Sequence, residues 1–168
     1  SLPHVNRFGG HSMRPYSVAQ HSINVARISG DLAKKKSDNS VYIRGVALAG
    51  LLHDGAEAMI GDFITPVKKQ VPQYLEIENK ILDVIFKKFG VIYKAENLPE
   101  EVKRADVIAL ATERLYLVAV LKESWNLSED PEVYTASDIA KLPFHPANVR
   151  TIAEVREGFI QKFLELSP

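Results

Sequence analysis

The stretch Leu51-Leu52-His53-Asp54-Gly55-Ala56-Glu57 sets three polar side chains directly after the most apolar part of the sequence. It ends a longer segment, residues 41 to 58, that is apolar on nearly all sides of a helix. A helix that is apolar all round is buried among other elements. The segment therefore predicts a central helix that carries His53, Asp54 and Glu57 at its carboxyl end.

Further helices are predicted on both sides of this segment. After a capping-box pair, Ser17 and Gln20, a helical stripe follows at steps of three and four: Val18, His21, Val25, Ile28 and Leu32. The same periodicity predicts helices at residues 74–89, 100–121 and 146–166, with a short one at Thr65-Pro66. No segment shows the alternation of a strand, so we predict an all-α protein. Residues 1–168 have the usual size of one domain.

The composition excludes several classes of function. Lys and Arg number 21 and Asp and Glu number 21, so no overall basic field attracts a nucleic-acid polymer or an anionic membrane. The longest apolar run is shorter than the roughly 20 residues of a membrane helix, and Ser1-Leu2-Pro3-His4 does not resemble a secretory signal. We therefore expect a soluble, cytoplasmic protein. The absence of cysteine excludes thiolate metal sites and cysteine nucleophiles.

Four polar residues occupy positions where the periodicity calls for apolar ones: His21, His53, Asp54 and Asp106. Each alone is compatible with a hydrogen-bonded core residue. Together, two imidazoles and two carboxylates from three helices form a mixed nitrogen and oxygen set that suits a divalent ion such as Mn, Fe, Co, Ni or Zn. A shared ion would offset the cost of burying these groups.

These residues lie in stretches that resemble the H…HD…D signature of the HD-domain phosphohydrolases: Ser17-Val18-Ala19-Gln20-His21-Ser22, Leu51 to Glu57, and Ala105-Asp106. Flanking stretches resemble the small bacterial and phage deoxynucleotide hydrolases of that superfamily, the 5′-deoxynucleotidase group and the phage dATP triphosphohydrolases. These flanking stretches are residues 7–12, 14–16, 61–68 and 111–114. The resemblance implies a helical bundle with one divalent ion (Co, Mn, Zn, Ni, Fe or Mg) in a central cleft. The implied ligands are His21, His53, Asp54 and Asp106, and additional Mg or Mn at the substrate phosphates is a further expectation.

The resemblance also implies roles for five other residues. Glu57 matches the group that orients or deprotonates the attacking water; the alternative is a solvated carboxylate at a helix end. Arg7 matches the residue that contacts the substrate phosphate, and Phe8 stands where relatives often carry tryptophan, as a ring that stacks on the base or sugar. Asp62 resembles the carboxylate near the sugar hydroxyl, and Lys68 could balance phosphate charge; for both, the alternative is a charge at a helix terminus.

The function expected from the resemblance is metal-dependent hydrolysis of deoxyribonucleoside 5′-phosphates, of the dAMP or dATP type, by attack of water on the α-phosphorus. Such an enzyme would control nucleotide pools in a bacterial or phage-infected cytoplasm and form a homo-oligomer, most simply a dimer. The alternatives are a hydrolase of cyclic or signalling nucleotides and a non-catalytic metal-binding module. Two features stay open. Glu113 could belong to the site or pair with Arg114, and residues 122–145 could form a lid, an oligomer contact or a surface loop.

Overall fold

The computed structural model describes residues 1–68, 70–118, 138 and 141–167. Its secondary structure is helical, without a β-strand in the part of the chain described. In these described residues, seven α-helices follow two short 3-10 turns, Leu2–His4 and Arg7–Gly10. The helices are α1 Val18–Lys36, α2 Ser40–Leu52, α3 Glu57–Ile60, α4 Thr65–Lys68, α5 Pro72–Phe89, α6 Glu100–Leu117 and α7 Ile152–Leu166. The prediction of an all-α fold is confirmed. Most of the predicted 122–145 connection lies outside the described residues.

The central helix ends earlier than the sequence predicts. It stops at Leu52 and not at residue 58, and a tight turn separates it from Glu57, the first residue of α3. The amide of Gly55 donates to the carbonyl of Leu52 at 2.9 Å, a spacing of three residues that tightens the chain. A Cβ at position 55 would lie 2.9 Å from the same carbonyl oxygen, so the lack of a Cβ in glycine allows the chain to form this turn.

Two other predicted boundaries also move. The last helix begins at Ile152 and not at residue 146, because Thr151 and Glu154 form a reciprocal capping box that satisfies the first amides. Helix α5 begins at Pro72, two residues before the predicted start. The capping box predicted for α1 is confirmed, since Ser17 and Gln20 bond to each other in both directions.

The core forms where α1 crosses α2 and both pack on α6 and α7. Its side chains are mostly aliphatic, including Val25, Ile28, Leu51, Val102 and Ala105. The crossing of α1 and α2 is close at Gly50: a Cβ there would lie 2.5 Å from the Ser29 hydroxyl and 3.3 Å from the Cα of Ala26. Because α1 carries His21 and α2 leads into His53, this crossing sets the distance between the two histidines.

No helix in residues 1–68, 70–118 and 141–167 has both the length and the hydropathy of a bilayer-spanning segment.

Replacing Gly50 by alanine should destabilise the protein by about 1–3 kcal/mol, since an added methyl group forces the two helices apart. Gly45 is the matched control, because it lies in the same helix and a Cβ there meets nothing within 4 Å. Gly45→Ala should stabilise the protein by about 0.5–1 kcal/mol through helix propensity. Urea unfolding monitored by circular dichroism measures both changes, and equal stability of Gly50→Ala and wild type would contradict the close crossing.

Candidate active site

Three of the predicted metal ligands meet where α1 passes the end of α2. The Nε2 atoms of His21 and His53 lie 3.4 Å apart. Oδ2 of Asp54 lies 3.5 Å from Nε2 of His21 and 3.3 Å from Nε2 of His53. One ligand atom from each of the three residues thus falls within 4.8 Å of the others, a grouping that could hold a metal ion.

Asp106 reaches the same point from α6. Its Oδ1 atom lies 3.1 Å from Nε2 of His21 and 3.9 Å from Nε2 of His53. The His21 side chain has no exposed surface, whereas that of Asp106 is 44% exposed, so the group is closed on the α1 side and accessible beside α6. The structure therefore brings together all four residues that the sequence predicted as ligands.

This donor set fits a divalent cation. Ligand atoms at about 2.0–2.2 Å from a metal lie roughly 3.0–3.6 Å from one another, which is close to most of the spacings observed here. The opposite ring nitrogens are also engaged: Nδ1–H of His21 donates to Glu113 Oε1 at 2.6 Å, and Nδ1–H of His53 donates to the Gly50 carbonyl at 2.8 Å. Imidazoles held in this way direct the Nε2 lone pair towards a metal.

The carboxylates around the histidines perturb their protonation. Burial lowers the pKa of His53, but Asp54 and Asp106 more than offset it, so its pKa lies well above 6.5. Burial and Arg7 lower the pKa of His21, whereas Glu113 and Asp106 raise it, and the net shift is again upwards. The histidines in turn hold the pKa of Asp54 and of Asp106 below the ordinary value despite desolvation.

Glu57 is a buried group of the same site. Its side chain is 3% exposed, so the alternative of a solvated carboxylate is wrong. Oε1 accepts a hydrogen bond from Lys68 Nζ at 3.3 Å, and Oε2 is buried with no hydrogen-bond partner among the residues described. Burial, with Asp54 and Asp62 nearby, raises the pKa of Glu57 to about 8 even though Lys68 and Arg7 oppose the shift.

Arg7 is buried beside the ligands and is held by two carboxylates. Its Nε–H donates to Glu113 Oε2 at 2.8 Å, and Nη1–H donates to Asp54 Oδ2 at 3.4 Å. Desolvation lowers the pKa of Arg7, but Glu113 and Asp54 raise it, so the guanidinium stays charged. Glu113, 1% exposed, therefore bridges Arg7 and His21, and this is the role that the sequence left open against a pair with Arg114.

The remaining predicted residues line the same region. Phe8 adopts a left-handed backbone with φ of 59°, and its ring centroid lies 5.6 Å from the Arg7 guanidinium carbon. A left-handed conformation is uncommon outside glycine and costs backbone strain, which is often found at functional sites. Asp62 Oδ2 accepts from the Gly9 amide at 3.3 Å, so Asp62 and the Phe8 turn face each other. Lys68 is the last residue of the short helix α4, as its alternative expects, whereas Asp62 lies in the connection between α3 and α4.

Lys68 has a second partner that the sequence did not reveal. Its Nζ donates to Glu78 Oε1 at 2.7 Å, a shorter distance than to Glu57. Glu78 is one of several charged residues on α5, and nothing in its spacing distinguishes it from the exposed Glu76. No sequence signal could have found it, because its role depends on how α5 docks.

The comparisons with known proteins agree with this geometry. The family model described as 5′-deoxynucleotidase YfbR-like matches residues 1–113, which include all four candidate ligands. The chain belongs to this family. The resemblance to the HD superfamily is thereby confirmed.

Individual relatives of the YfbR-like family show how far the similarity extends. The uncharacterized protein YfdR of Escherichia coli (strain K12) is 36% identical over 114 residues, 68% of this chain and 55% of YfdR. A 5′-deoxynucleotidase of Yersinia pestis (strain Pestoides F) is 30% identical over 108 residues, 62% of this chain and 52% of that protein. The 5′-deoxynucleotidase PBPRA2627 of Photobacterium profundum is 34% identical over 73 residues, 42% of this chain and 38% of that protein. The chain thus spans about half the length of these relatives or less.

Glu113→Gln should weaken the affinity for Mn²⁺ by about 10- to 100-fold, because a neutral amide cannot hold the Nδ1–H of His21 as a carboxylate does. Glu101→Gln is the matched control: Glu101 is a buried carboxylate of the same helix, but its partners are Lys36 and Tyr42. Calorimetric titration of the metal-free proteins measures both affinities. Equal affinities of the Glu113 variant and wild type would show that Glu113 does not orient His21.

Metal affinity should rise with pH. In the metal-free protein the raised pKa values of His21 and His53 keep protons on these rings at pH values where free histidine has lost them, and a metal must displace those protons. The proton-linked stabilisation of the metal-free fold is complete below pH 6.5 and is lost as pH rises through the raised values. Titrations with Mn²⁺ in buffers from about pH 6 to about pH 9 should show proton release that decreases as affinity increases. Affinity independent of pH would contradict the shifts.

Proposed function

We propose that this protein hydrolyses deoxyribonucleoside 5′-monophosphates, using a divalent cation bound by His21, His53, Asp54 and Asp106. The observation that carries the proposal is the convergence of these four ligands beside a buried Glu57 whose Oε2 has no partner among the described residues. Support for the substrate class comes from the family and from relatives that bear the name 5′-deoxynucleotidase.

The metal would polarise a phosphoryl oxygen and make a bound water more acidic, the two contributions that phosphate hydrolysis needs near neutral pH. Its identity among Co, Mn, Zn, Ni, Fe and Mg is open. Glu57 is the proposed general base. Its Oε2 accepts a proton from the attacking water as the new bond to phosphorus forms and the bond to the 5′-oxygen breaks. The proton accepted by Glu57 then passes, directly or through solvent, to that 5′-oxygen, so the deoxynucleoside leaves as the alcohol and the carboxylate is regenerated.

The burial of Glu57 suits this role. A base with a pKa near the working pH combines availability with proton affinity, and burial has raised this carboxyl group towards that range. Lys68 holds Oε1, and Oε2, which has no hydrogen-bond partner among the described residues, is the oxygen left to accept a proton. A cation bound next to Asp54 would lower the pKa of Glu57 and favour its ionised form.

Arg7, Phe8 and Asp62 would hold the substrate. The guanidinium of Arg7 is fixed by Glu113 and Asp54 through Nε and Nη1, so it is oriented before a phosphate arrives. The Phe8 ring lies next to it and offers a stacking face for a base or sugar. We infer that Asp62, which accepts a hydrogen bond from Gly9 of the same turn, also accepts one from a sugar hydroxyl of the substrate.

The proposal extends to dATP as a second substrate. Cleavage at the α-phosphorus of dATP breaks the equivalent bond and would release tripolyphosphate, and an additional Mg or Mn could accompany such a substrate. A role in pool control in a bacterial or phage-infected cytoplasm and assembly into a homodimer stay predictions, and light scattering at micromolar concentration tests the dimer.

The test of the substrate class is a product assay with Mn²⁺ or Co²⁺ across dAMP, dGMP, AMP, dATP and a cyclic nucleotide. We expect dAMP to be hydrolysed with a higher kcat/KM than AMP, because close packing at the sugar leaves a 2′-hydroxyl crowded or unpaired. Equal values for AMP and dAMP would refute the choice of deoxyribose. Tripolyphosphate from dATP would instead identify a triphosphohydrolase, and turnover of the cyclic nucleotide alone a phosphodiesterase. An inactive metal-loaded protein would point to a non-catalytic module.

Glu57→Gln should retain the metal and lose a factor of about 10² to 10⁴ in kcat, the usual scale for removal of one acid–base group. Asp106→Ala should lose both metal and activity, which provides the contrast. Elemental analysis and kcat measured on the same preparations separate the two effects. Near-normal turnover by Glu57→Gln would show that the water is activated without this carboxylate.

A further inference from the structure

The segment of residues 61–68, which includes α4 and is called the 61–68 loop below, carries Asp62 and Lys68, two residues of the proposed site. It faces the Phe8 turn through one hydrogen bond between Asp62 and the Gly9 amide. On its other side it meets the first two turns of α5. Contacts that fix the 61–68 loop therefore fix both Asp62, the carboxylate proposed to contact the sugar, and the Lys68 ammonium beside Glu57.

Tyr74 of α5 contacts this loop at three separate points. Its hydroxyl donates to the Gly61 carbonyl at 3.1 Å. Its ring stacks on Phe63 with centroids 4.8 Å apart and an interplanar angle of 21°. The Lys68 ammonium lies 5.6 Å from the centroid of the same ring. Because Gly61 and Lys68 stand at the two ends of the loop, one side chain spans its whole length.

Glu78 lies one helical turn after Tyr74, on the same face of α5. It is the closer of the two carboxylates on Lys68, at 2.7 Å against 3.3 Å for Glu57. The side chains of Lys68 and Glu78 are 17% and 16% exposed, so the pair is largely shielded from water and is stronger than a surface ion pair. Lys68 therefore cannot move without breaking a shielded contact with α5.

The amino-terminal half of α5 is not held by a buried residue of its own. Both buried residues of α5, Leu82 and Phe86, lie in its carboxyl-terminal half. The apolar residues Leu75 and Ile77 of these turns are 41% and 51% exposed. The contacts of Tyr74 and Glu78 thus link the first turns of α5 to the site.

We propose that Tyr74 and Glu78 are positioning residues that clasp the 61–68 loop and, through Lys68, hold Glu57 with Oε2 directed at the reaction. The catalytic part of this inference rests on the proposed function. The clasp itself is a property of the fold and can be tested without turnover.

Glu78→Ala is the principal variant, with Glu76→Ala as its matched control. Glu76 lies on the same helix and forms an exposed ion pair with Lys80. Glu78→Ala should reduce kcat by about 10- to 100-fold, the cost of misplacing a reacting group, while KM changes less and metal content stays the same. Glu78→Gln keeps an acceptor for Lys68 and should recover part of kcat. Glu76→Ala should match wild type.

A double-mutant cycle shows whether Glu78 acts through Lys68. In a Lys68→Met background, adding Glu78→Ala should change kcat by less than about twofold, because the contact that it removes is already absent. Independent, additive losses would overturn the proposed route. So would a kcat for Glu78→Ala equal to that of wild type, or a loss confined to KM.

Hydrogen–deuterium exchange of peptides within residues 57–68 tests the clasp without any activity. Tyr74→Phe, which removes only the hydroxyl bonded to Gly61, and Glu78→Ala should both speed exchange there, and Glu76→Ala should not. Unchanged exchange in both variants would refute the clasp. Faster exchange in a protein whose wild type hydrolyses no deoxynucleotide would uphold the clasp and reject the proposed function, so the two failures are distinguishable.

Discussion

Two imidazole nitrogens face each other across 3.4 Å at the meeting point of three helices, and the rest of the site is arranged around this contact. Two buried Nε2 atoms at that distance need a shared proton or cation between them, because neither lone pair can satisfy the other. Asp54 and Asp106 supply negative charge at the same point and raise the affinity of the site for a proton or a metal cation. The fold therefore creates a strong demand for positive charge at a point that is closed on the α1 side and accessible beside α6.

Close packing and buried ion pairs hold this contact in place. The α1–α2 crossing at Gly50 sets the distance between the helices, and the Gly50 carbonyl also accepts the hydrogen bond from His53. Glu113 performs the corresponding task for His21 and at the same time orients Arg7. One region of the core thus positions both the ligands for a cation and the guanidinium proposed for the phosphate. Removing either partner of such a buried pair would leave an uncompensated charge.

The predicted end of the central helix was wrong. The apolar character of residues 41–58 suggested one continuous helix, but the chain tightens after Leu52 and starts a new helix at Glu57. This break matters for Glu57. On a continuous helix it would sit one turn beyond His53 at a helix end, where a solvated carboxylate is an ordinary outcome. In the observed turn it is buried and paired with Lys68, which makes it a strong candidate for the base.

The sequence by itself determined the helical class, the capping box of α1 and the four candidate ligands, because hydrophobic periodicity and residue spacing are local properties of a chain. His21, His53, Asp54 and Asp106 stand out along the chain as polar residues in apolar surroundings. Only the tertiary structure decided which oxygen of Glu113 meets His21, that Lys68 joins Glu57 to Glu78, and that Tyr74 spans the 61–68 loop. These contacts join residues on different elements through side chains common on any helix surface. Their partners depend on how the helices dock, and no pattern along one segment encodes that.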